Sequence, residues 1–469
     1  MTQSATDSRP RLLATGAIER DNFGDLLYAV LLKDRLPEWA LSFGAPIAPA
    51  VSPLDDAVGN WRTLLDTEDF EAAWVVGGEV GATPPEYAYL TTYGTDARRQ
   101  LAHSSLEESR LTLAKAMGGQ VLDPPYIPRP SAVPRNAGVA LVLNSVGLSG
   151  IAREAGWRQP RLIAAVREAD IVSVRDRASS AFLDEQGIAH RLAPDFAHTV
   201  AKDRPRPRNA SGPVLVHLSE HALSEQDIES WAAALVAALP DADVPLRMFT
   251  AGLAPGHDTE ASAEAVAAAI RRLAPARDVT VSPARGIWDR VDEISASRLW
   301  IGASLHGRVI ASAYGVPRVS LAKPKVDAYA ADWDAEQPFG VTVDTLAGAV
   351  AQALGTDAAP RDDLAKQALE NFTAVAAELA AAVEADRSAA VRTRLAACRR
   401  EADDASLVAQ RATAEIRSAA EQVDRQRALA DAAAQRTDAV RAELDEIRGS
   451  RRWQLFESVD RAKTRLRLP

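Results

Sequence analysis

The residue best placed to do chemistry is His306, in the segment Ala-Ser-Leu-His-Gly-Arg at positions 303–308. Histidine is the side chain best suited to giving or taking a proton near neutral pH. The apolar run 299–302 precedes it and a helical pattern follows, so a helix N-terminus that favours negative charge lies beside it. A lone histidine is more often structural, but small residues flank this one. We interpret His306 as a proton-transfer or ligand-orienting residue, with His198 and His217 as second candidates.

Arg175 is the second candidate, because it follows the apolar run Ile171–Val174 and precedes a helical pattern. A guanidinium at such a junction can bind a carboxylate or phosphate through two hydrogen bonds. Asp195 follows about twenty residues later, after Pro194. The structural alternative is a surface salt bridge from Arg175 to Asp176 or Glu185.

Two glycine-containing turns complete the set. Asn22 and Asp25 flank Gly24, whose flexibility allows a tight turn, and the helix that follows offers free N–H groups to an anion or a sugar oxygen. Gly77 and Gly78 directly follow an apolar run, where the absence of side chains lets a ligand approach the backbone. The structural alternatives are a capped strand-to-helix turn and a plain tight turn.

Each candidate follows a short apolar run and precedes a helical pattern, which predicts α/β architecture with parallel sheets. Such sheets bind ligands at the carboxyl ends of their strands. We expect two Rossmann-like domains, at 11–200 and 213–355, joined by a Pro- and Arg-rich linker at 201–212. Residues 1–10 are polar and predicted to be disordered.

The C-terminal region has a different composition. Residues 361–448 contain neither Gly nor Pro and are rich in Ala, Glu and Arg, which predicts a long helix. Phe372, Val375, Leu379 and Val383 keep a spacing of three and four residues, which we interpret as a thin coiled-coil seam that supports self-association. Residues 450–469 form a basic amphipathic segment, predicted to contact a membrane surface or a partner protein.

Composition limits the classes of function. The net charge of −10 argues against nucleic-acid binding. A single cysteine, Cys398, excludes an internal disulfide and fits a reducing compartment, and the N-terminus carries no pattern typical of a signal peptide. We therefore expect a cytoplasmic protein, peripheral at most to the inner face of a membrane, and the bias towards Ala, Arg and Asp suggests a bacterial source. No metal-ligand spacing, Walker loop or dinucleotide fingerprint is present, so neither a metal nor a cofactor is expected.

Five motifs occur in the order seen in one family. They are Asp21-Asn22-x-Gly24-Asp25, Gly77-Gly78, Ser173-x-Arg175-Asp176, Pro194-Asp195, and Ser304-Leu305-His306-Gly307 with Gly315-x-Pro317 and Lys325. Over roughly residues 11–355 the chain thus resembles the polysaccharide pyruvyl transferases. The resemblance implies two facing Rossmann-like domains, similar to GT-B glycosyltransferases. It also implies transfer of the enolpyruvyl group of phosphoenolpyruvate (PEP) as a ketal to a saccharide or lipid-linked saccharide, with release of phosphate.

Carried over by position, the resemblance implies that Arg175 binds the anionic donor and that His306 lies at the reacting centre. The substrate-binding residues it implies are Asn22, Asp25, Gly77, Gly78, Asp195, Ser304 and Lys325. Many members have Arg-Leu-His where this chain has Ser304-Leu305-His306, and Arg308 is the residue that would supply the missing charge. Many also have three glycines where this chain has Gly77-Gly78-Glu79, and a glutamate there would repel an anionic donor unless it faced the acceptor.

Two alternatives stay open at this point. The same architecture would serve a GT-B glycosyltransferase that uses a nucleotide sugar. A catalytically inactive member that scaffolds an assembly through its coiled coil is the other reading.

Overall fold

The fold rests on short parallel strands, most of them buried, that form two separate sheets. The structure is a computed structural model that describes residues 8–81, 83–148, 150 and 158–450. The first sheet has the strand order β3-β2-β1-β4-β6-β7-β8, with β5 paired to β6. Its strands are β1 (Arg11–Thr15), β2 (Ala40–Ala45), β3 (Val58–Asn60), β4 (Ala72–Val75), β5 (Gly78–Glu79), β6 (Ala140–Gly147), β7 (Ile171–Val174) and β8 (Arg191–Leu192).

The second sheet has the order β11-β10-β9-β12-β13, and every pairing within it is parallel. Its strands are β9 (Val214–His217), β10 (Leu246–Met248), β11 (Val279–Val281), β12 (Leu299–Gly302) and β13 (Arg318–Ser320). In both sheets the first strand lies in the middle, and the chain winds outward on either side of it. This is the doubly wound Rossmann-like topology, so the predicted pair of parallel α/β sheets is confirmed.

Helices connect the strands and cover the sheets, since a parallel pair needs a crossover connection. The helices of the described residues are α1 (Phe23–Arg35), α2 (Trp61–Thr67), α3 (Pro85–Tyr93), α4 (Thr95–His103), α5 (Leu106–Ala116), α6 (Arg158–Arg167), α7 (Arg177–Glu185), α8 (Val200–Asp203), α9 (Glu220–Glu225), α10 (Ile228–Ala238), α11 (Glu260–Leu273), α12 (Ile287–Ser295), α13 (Leu305–Ala313), α14 (Pro324–Trp333), α15 (Leu346–Gly355), α16 (Asp362–Glu384) and α17 (Ser388–Gly449). No helix in these described ranges is long and apolar enough to cross a membrane.

The two sheets belong to one compact unit, Met1–Leu395, rather than packing independently. Asp21, after β1, accepts two hydrogen bonds from the buried guanidinium of Arg290 on α12, at 2.6 and 3.0 Å. The Phe23 N–H donates to the carbonyl of Ala251, after β10, at 3.0 Å, and the Phe23 ring meets Phe249 edge-on. The loop after β1 is therefore fixed to the second sheet by charge, hydrogen bonds and apolar contact.

The C-terminal helical region differs from the prediction in two respects. It is not one helix, because α16 ends at Glu384 and α17 begins at Ser388. Phe372, Val375 and Leu379 on α16 are buried in the core against the first sheet, so they do not form a coiled-coil seam. The same spacing suits a helix that packs on a core and a helix that pairs with another, and here the core takes the apolar face.

A second unit begins at Ala396, within α17. Self-association through this long helix stays a prediction. Beyond Ser450, the predicted basic amphipathic segment lies outside the described residues.

The packing of α16 yields a stability prediction. The Phe372 ring stacks on Phe196 at 4.7 Å and lies 5.5 Å from Trp74. Phe372→Ala should lower the free energy of unfolding by about 3–5 kcal/mol, the cost of emptying a buried aromatic site. Leu429→Ala is the control, because Leu429 on α17 is 66% exposed. Urea denaturation measures both, and equal effects would show that α16 does not belong to the core.

Candidate functional site

The sequence-predicted residues gather around one cavity of about 400 Å³ at the carboxyl ends of both sheets. In each sheet this is the point where the chain turns from one side to the other, between β1 and β4 and between β9 and β12. Loops leaving adjacent strands in opposite directions open a crevice there, which is where such sheets bind ligands. The charged and polar side chains that line the cavity are Arg20, Asn22, Asp25, Glu79, Thr83, Tyr87, Arg175, His217, Ser219, Glu220, His257, Asp258, Ser304, His306, Lys323 and Lys325.

A buried hydrogen-bonded chain links the two sheets beneath this cavity. The Arg175 Nη1 donates to Asp195 Oδ2 at 3.1 Å and to the Tyr28 hydroxyl oxygen at 2.9 Å. The Tyr28 hydroxyl donates in turn to Asp195. His306 Nε2 lies 3.0 Å from the same hydroxyl oxygen. The chain therefore runs from β7 through α1 to α13, and it makes Arg175 the partner of Asp195 rather than of Asp176 or Glu185.

This network defines the state of His306. Because the Tyr28 proton is directed at Asp195, the hydroxyl oxygen accepts a hydrogen from His306 Nε2, which leaves Nδ1 unprotonated in the neutral ring. Desolvation lowers the pKa of His306 to about 4, with Asp195 and Asp25 opposing the shift and Arg175 and Lys325 adding to it. In this environment the imidazole is therefore neutral at neutral pH.

Glycines in the predicted motifs leave room for these rings. A Cβ on Gly24 would lie 1.8 Å from His306 Nδ1, so only glycine fits where α1 meets α13. Gly77 has a φ of +141°, and a Cβ there would lie 2.9 Å from the Tyr28 ring. Gly78 has a φ of +90° and faces Asp25 in the same way. These glycines serve side chains of the protein as well as lining the cavity.

The remaining loop residues also lie at the cavity. Asn22 Nδ2 donates to Asp25 Oδ2 at 2.8 Å, which orients both side chains. Ser304 caps α13 by accepting from the Gly307 N–H at 3.2 Å, and it also lines the cavity.

Two predicted substrate-binding residues do not lie on the cavity wall. Arg308 is 1% exposed, and its guanidinium forms an ion pair with Asp334 and donates to the carbonyls of Asp334, Gln337 and Pro338. It therefore holds the loop after α14 and does not supply the charge expected from it. Asp195 is fully buried below the wall and acts on the cavity through Arg175 and Tyr28.

The cations of the cavity fall into two kinds. Arg20 is paired: its Nη1 donates to Glu19 Oε1 at 2.9 Å, Thr91 Oγ1 at 2.8 Å and the Tyr126 hydroxyl at 2.6 Å. Arg175 is paired with Asp195. Within the described residues, by contrast, the ammonium groups of Lys323 and Lys325 have no ion-pair or hydrogen-bond partner.

Lys325 is the more perturbed of the two lysines. Its side chain is exposed to the cavity, yet desolvation by the surrounding walls, together with the charges of Lys323 and Arg175, lowers its pKa to about 8. Asp25 and Glu79 oppose this shift. Two cations close enough to repel each other favour an anion between them.

Glu79 also lines the cavity, at the position where many members of the resembled family have a third glycine. Its Oε1 is buried without a partner in the described part of the chain, and a Cβ on Gly147 would lie 2.4 Å from Oε2 and 3.2 Å from the Arg175 Nη2. Desolvation raises the pKa of Glu79, while Arg175 opposes the shift. An anion bound beside it would raise the pKa further and reduce the expected repulsion by favouring the protonated carboxyl.

Several residues in or near the site were not predicted from the sequence or were only second candidates. Tyr28 sits in an apolar helical run, and its phenol among leucines was the one available signal. His257 follows β10 and lines the cavity, with Nε2 buried and without a partner among the described residues. His217, a second candidate, ends β9 with Nε2 2.9 Å from Asp258 Oδ2. His198 is fully buried and contacts the Tyr329 hydroxyl outside the cavity.

No cluster of metal-ligating side chains occurs in the described ranges of the chain. The cavity wall offers ammonium, guanidinium, imidazole and carboxyl groups. Together they can bind an anion, exchange protons near neutral pH and hold hydroxyl groups.

Two doubly wound parallel sheets with a charged cavity at both crossover points define a Rossmann-like α/β protein, with the kind of crevice in which such sheets bind ligands. Within it, residues 115–322 match the model of the polysaccharide pyruvyl transferase family, a family of transferases. This is the family that the five motifs resemble, and the matched range contains Arg175 and His306. Among curated proteins no sequence matches this chain.

Several solved structures are similar to this chain at low sequence identity. A putative UDP-N-acetylglucosamine 2-epimerase from Listeria monocytogenes is 11% identical, with a TM-score of 0.48, and the match covers 81% of this chain and 98% of that one. The S. aureus MnaA–UDP co-structure is 12% identical, with a TM-score of 0.46, and the match covers 79% of this chain and 97% of that one. The UDP-GlcNAc 2-epimerase of Methanocaldococcus jannaschii is 9% identical, with a TM-score of 0.44, and the match covers 78% of this chain and 99% of that one.

The buried histidines yield a prediction for pH. Desolvation lowers the pKa values of His198, His257 and His306 to about 4 in the folded protein, from an ordinary 6.5. Between these values the unfolded chain binds more protons, so stability is present above pH 6.5 and is lost as the pH falls towards 4. Each fully buried histidine should contribute up to about 2 kcal/mol of that loss by pH 5.

His198→Gln should make the dependence shallower, because Gln can keep the bond to Tyr329 and carries no titrating group. His103→Gln is the control, since His103 is exposed. Urea denaturation at pH 7 and pH 5 measures the difference. An identical pH dependence in wild type and His198→Gln would contradict the assignment.

Proposed function

We propose that this protein is a ketal pyruvyl transferase that moves the three-carbon unit of PEP onto two hydroxyl groups of a saccharide. The observation that carries the proposal is the pair of unpartnered lysines, Lys323 and Lys325, on the wall of the cavity that also holds His306. PEP bears a carboxylate and a phosphate, and two free ammonium groups suit those two anionic groups. The family match over residues 115–322 supports this reading.

The proposed reaction balances as follows. The methylene carbon of PEP gains a proton, which leaves positive charge on the neighbouring carbon. One acceptor hydroxyl attacks that carbon, the C–O bond to phosphate breaks with its electron pair leaving on phosphate, and a second hydroxyl closes the ketal. Two hydroxyl protons are lost in total, one balancing the proton on the new methyl group and the other ending on phosphate.

Lys323 and Lys325 are the proposed anion-binding residues, and Arg175 acts through the buried chain. Arg175 is already paired with Asp195, so its part is to fix Tyr28 and thereby His306, and only its cavity-facing edge adds to the positive field. This changes the role expected for Arg175 from a primary grip on the donor to support of the reacting centre.

His306 is the proposed proton donor to the methylene carbon. The bare site keeps it neutral, but a bound trianion favours the imidazolium and raises its pKa. Binding of the donor would thus favour the protonated form of His306, which is the form that can act as the acid. Nδ1 is the nitrogen left for this exchange, because Nε2 is held by Tyr28.

The acceptor we propose is a saccharide or lipid-linked saccharide of a surface polysaccharide, modified in the cytoplasm at the inner face of the membrane. The single cysteine and the basic segment at 450–469 support this location. That segment is also the proposed membrane contact.

The function is tested by incubating the full chain with PEP and a panel of methyl hexopyranosides. We expect phosphate release and a product whose mass matches the carboxyethylidene adduct. Parallel reactions with UDP-glucose and UDP-N-acetylglucosamine test the nucleotide-sugar alternative. Glycosyl transfer without ketal formation would overturn the proposal, and inactivity with all donors would favour the scaffold reading.

Lys325 yields a separate binding prediction. Lys325→Ala should weaken PEP binding by about tenfold to a hundredfold, because one of two partnerless cations is lost. The PEP-dependent rise in melting temperature measures the affinity. Lys115→Ala is the matched control, since Lys115 is an exposed lysine on α5. Equal PEP affinity in both variants would remove Lys325 from the anion site.

A further inference from the structure

A histidine–carboxylate pair on the wall of the cavity has no part in the scheme above. His217 ends β9, and its Nε2 lies 2.9 Å from Asp258 Oδ2. The same carboxylate oxygen accepts the Ala251 N–H at 2.7 Å, and against desolvation the interaction with His217 helps to lower the pKa of Asp258. An ionised carboxylate can only accept, so the hydrogen of the neutral ring is on Nε2.

The other ring nitrogen is therefore an unprotonated acceptor. His217 is 3% exposed, and its Nδ1 is buried without a hydrogen-bond partner in the described part of the chain. Burying a polar atom without a hydrogen-bond partner is unfavourable, so a structure tends to supply a partner for it. Because His217 lines the cavity, a ligand can be that partner. A lone pair requires a donor, and a hydroxyl group is the donor that a sugar offers.

The His217 ring is held in place on two further sides. It stacks on Trp300 with centroids 6.0 Å apart and an interplanar angle of 12°, and it meets Phe249 edge-on at 6.4 Å. With Asp258 on Nε2 and aromatic rings against its faces, the imidazole keeps one orientation. A carboxylate that orients a histidine whose other ring nitrogen has no hydrogen-bond partner is an arrangement that general bases use.

The position of the pair relative to the anion site fits a two-substrate reaction. Lys323 feels the charge of Asp258, which places the pair beside the proposed donor site. β9 pairs with β12, and His217 lies opposite Gly302, four residues before His306. A molecule whose hydroxyl reaches His217 is therefore held against a donor at Lys323 and Lys325.

We propose that His217 is the general base for an acceptor hydroxyl and that Asp258 is its positioning residue. This inference rests on the proposed function for the identity of the second substrate. In the step, the acceptor O–H bond breaks and its proton passes to Nδ1, while the oxygen electron pair forms the bond to the central carbon of the donor. The imidazolium is stabilised by Asp258, and its proton then leaves with the released phosphate.

Three variants test the assignment. His217→Gln should lower kcat by about 10²–10⁴-fold, the span for a positioned base, with PEP affinity within about twofold of wild type. Asp258→Asn keeps an acceptor for both Nε2–H and the Ala251 N–H but removes the charge, so its kcat should fall by about tenfold or more. His103→Gln should match wild type. Normal turnover in folded His217→Gln would overturn the proposal.

Chemical rescue separates catalysis from packing. Imidazole added to His217→Ala should restore turnover in a saturable way, because the vacated space opens on the cavity, and it should do nothing for His217→Gln, where the space is filled. Rescue failure with intact PEP binding and an unchanged melting temperature would indicate a structural histidine.

A spectroscopic measurement keeps this inference distinct from the proposed function. In wild-type protein labelled with ¹⁵N-histidine, the His217 signals, assigned with His217→Gln, should show hydrogen on Nε2 and an unprotonated Nδ1. Adding methyl hexopyranosides without PEP should shift the Nδ1 signal as it accepts a hydroxyl. If ketal formation fails but this shift occurs, the hydroxyl site stands and the donor is wrong. Hydrogen on Nδ1, or no shift with any hexoside, would overturn the site itself.

Discussion

The site depends on one constraint, which is that the guanidinium of Arg175 is buried and must be paired. At 3% exposure its charge is expensive unless a carboxylate meets it, and Asp195 does so with no exposure of its own. Tyr28 hydrogen-bonds to both groups, and its hydroxyl oxygen also lies 3.0 Å from His306 Nε2. Removing one partner would leave a buried charge and release the histidine from its position.

A consequence is that the arginines and the lysines of the cavity do different work. Arg175 and Arg20 are each balanced by a buried acidic neighbour, Asp195 and Glu19, so their charges hold the protein together. Lys323 and Lys325 form no direct ion pair within the described residues, so their charge is available to a ligand. Arginine suits buried ion pairs because its planar guanidinium donates to several acceptors in fixed positions. Lysine suits ligand binding because its flexible side chain can adjust the ammonium group to the bound anion.

Much of this was accessible from the sequence, because short apolar runs before polar loops predict parallel strands and therefore a common edge for the site. What failed were assignments that depend on direction or partner. Arg308 is two residues from His306, about 200° around a helix, and so points to the core and Asp334 rather than the cavity. Phe372 and its neighbours have a spacing that suits either a coiled coil or a core helix. The two can be told apart only from the tertiary structure, in which this helix packs against the first sheet. Tyr28 looked like one more apolar helix residue.

The two cavity histidines differ in the charge that surrounds them, and this decides the direction of proton flow in the proposed reaction. An imidazolium at His217 would face the carboxylate of Asp258 directly, so a proton taken from a hydroxyl is stabilised where it lands. An imidazolium at His306 would lie near Arg175 and Lys325, so the protonated ring is unfavourable until donor anions offset those cations. On the proposed function, His217 therefore accepts a proton and His306 delivers one. The cavity that binds the donor thus holds the general base and the general acid at two separate histidines.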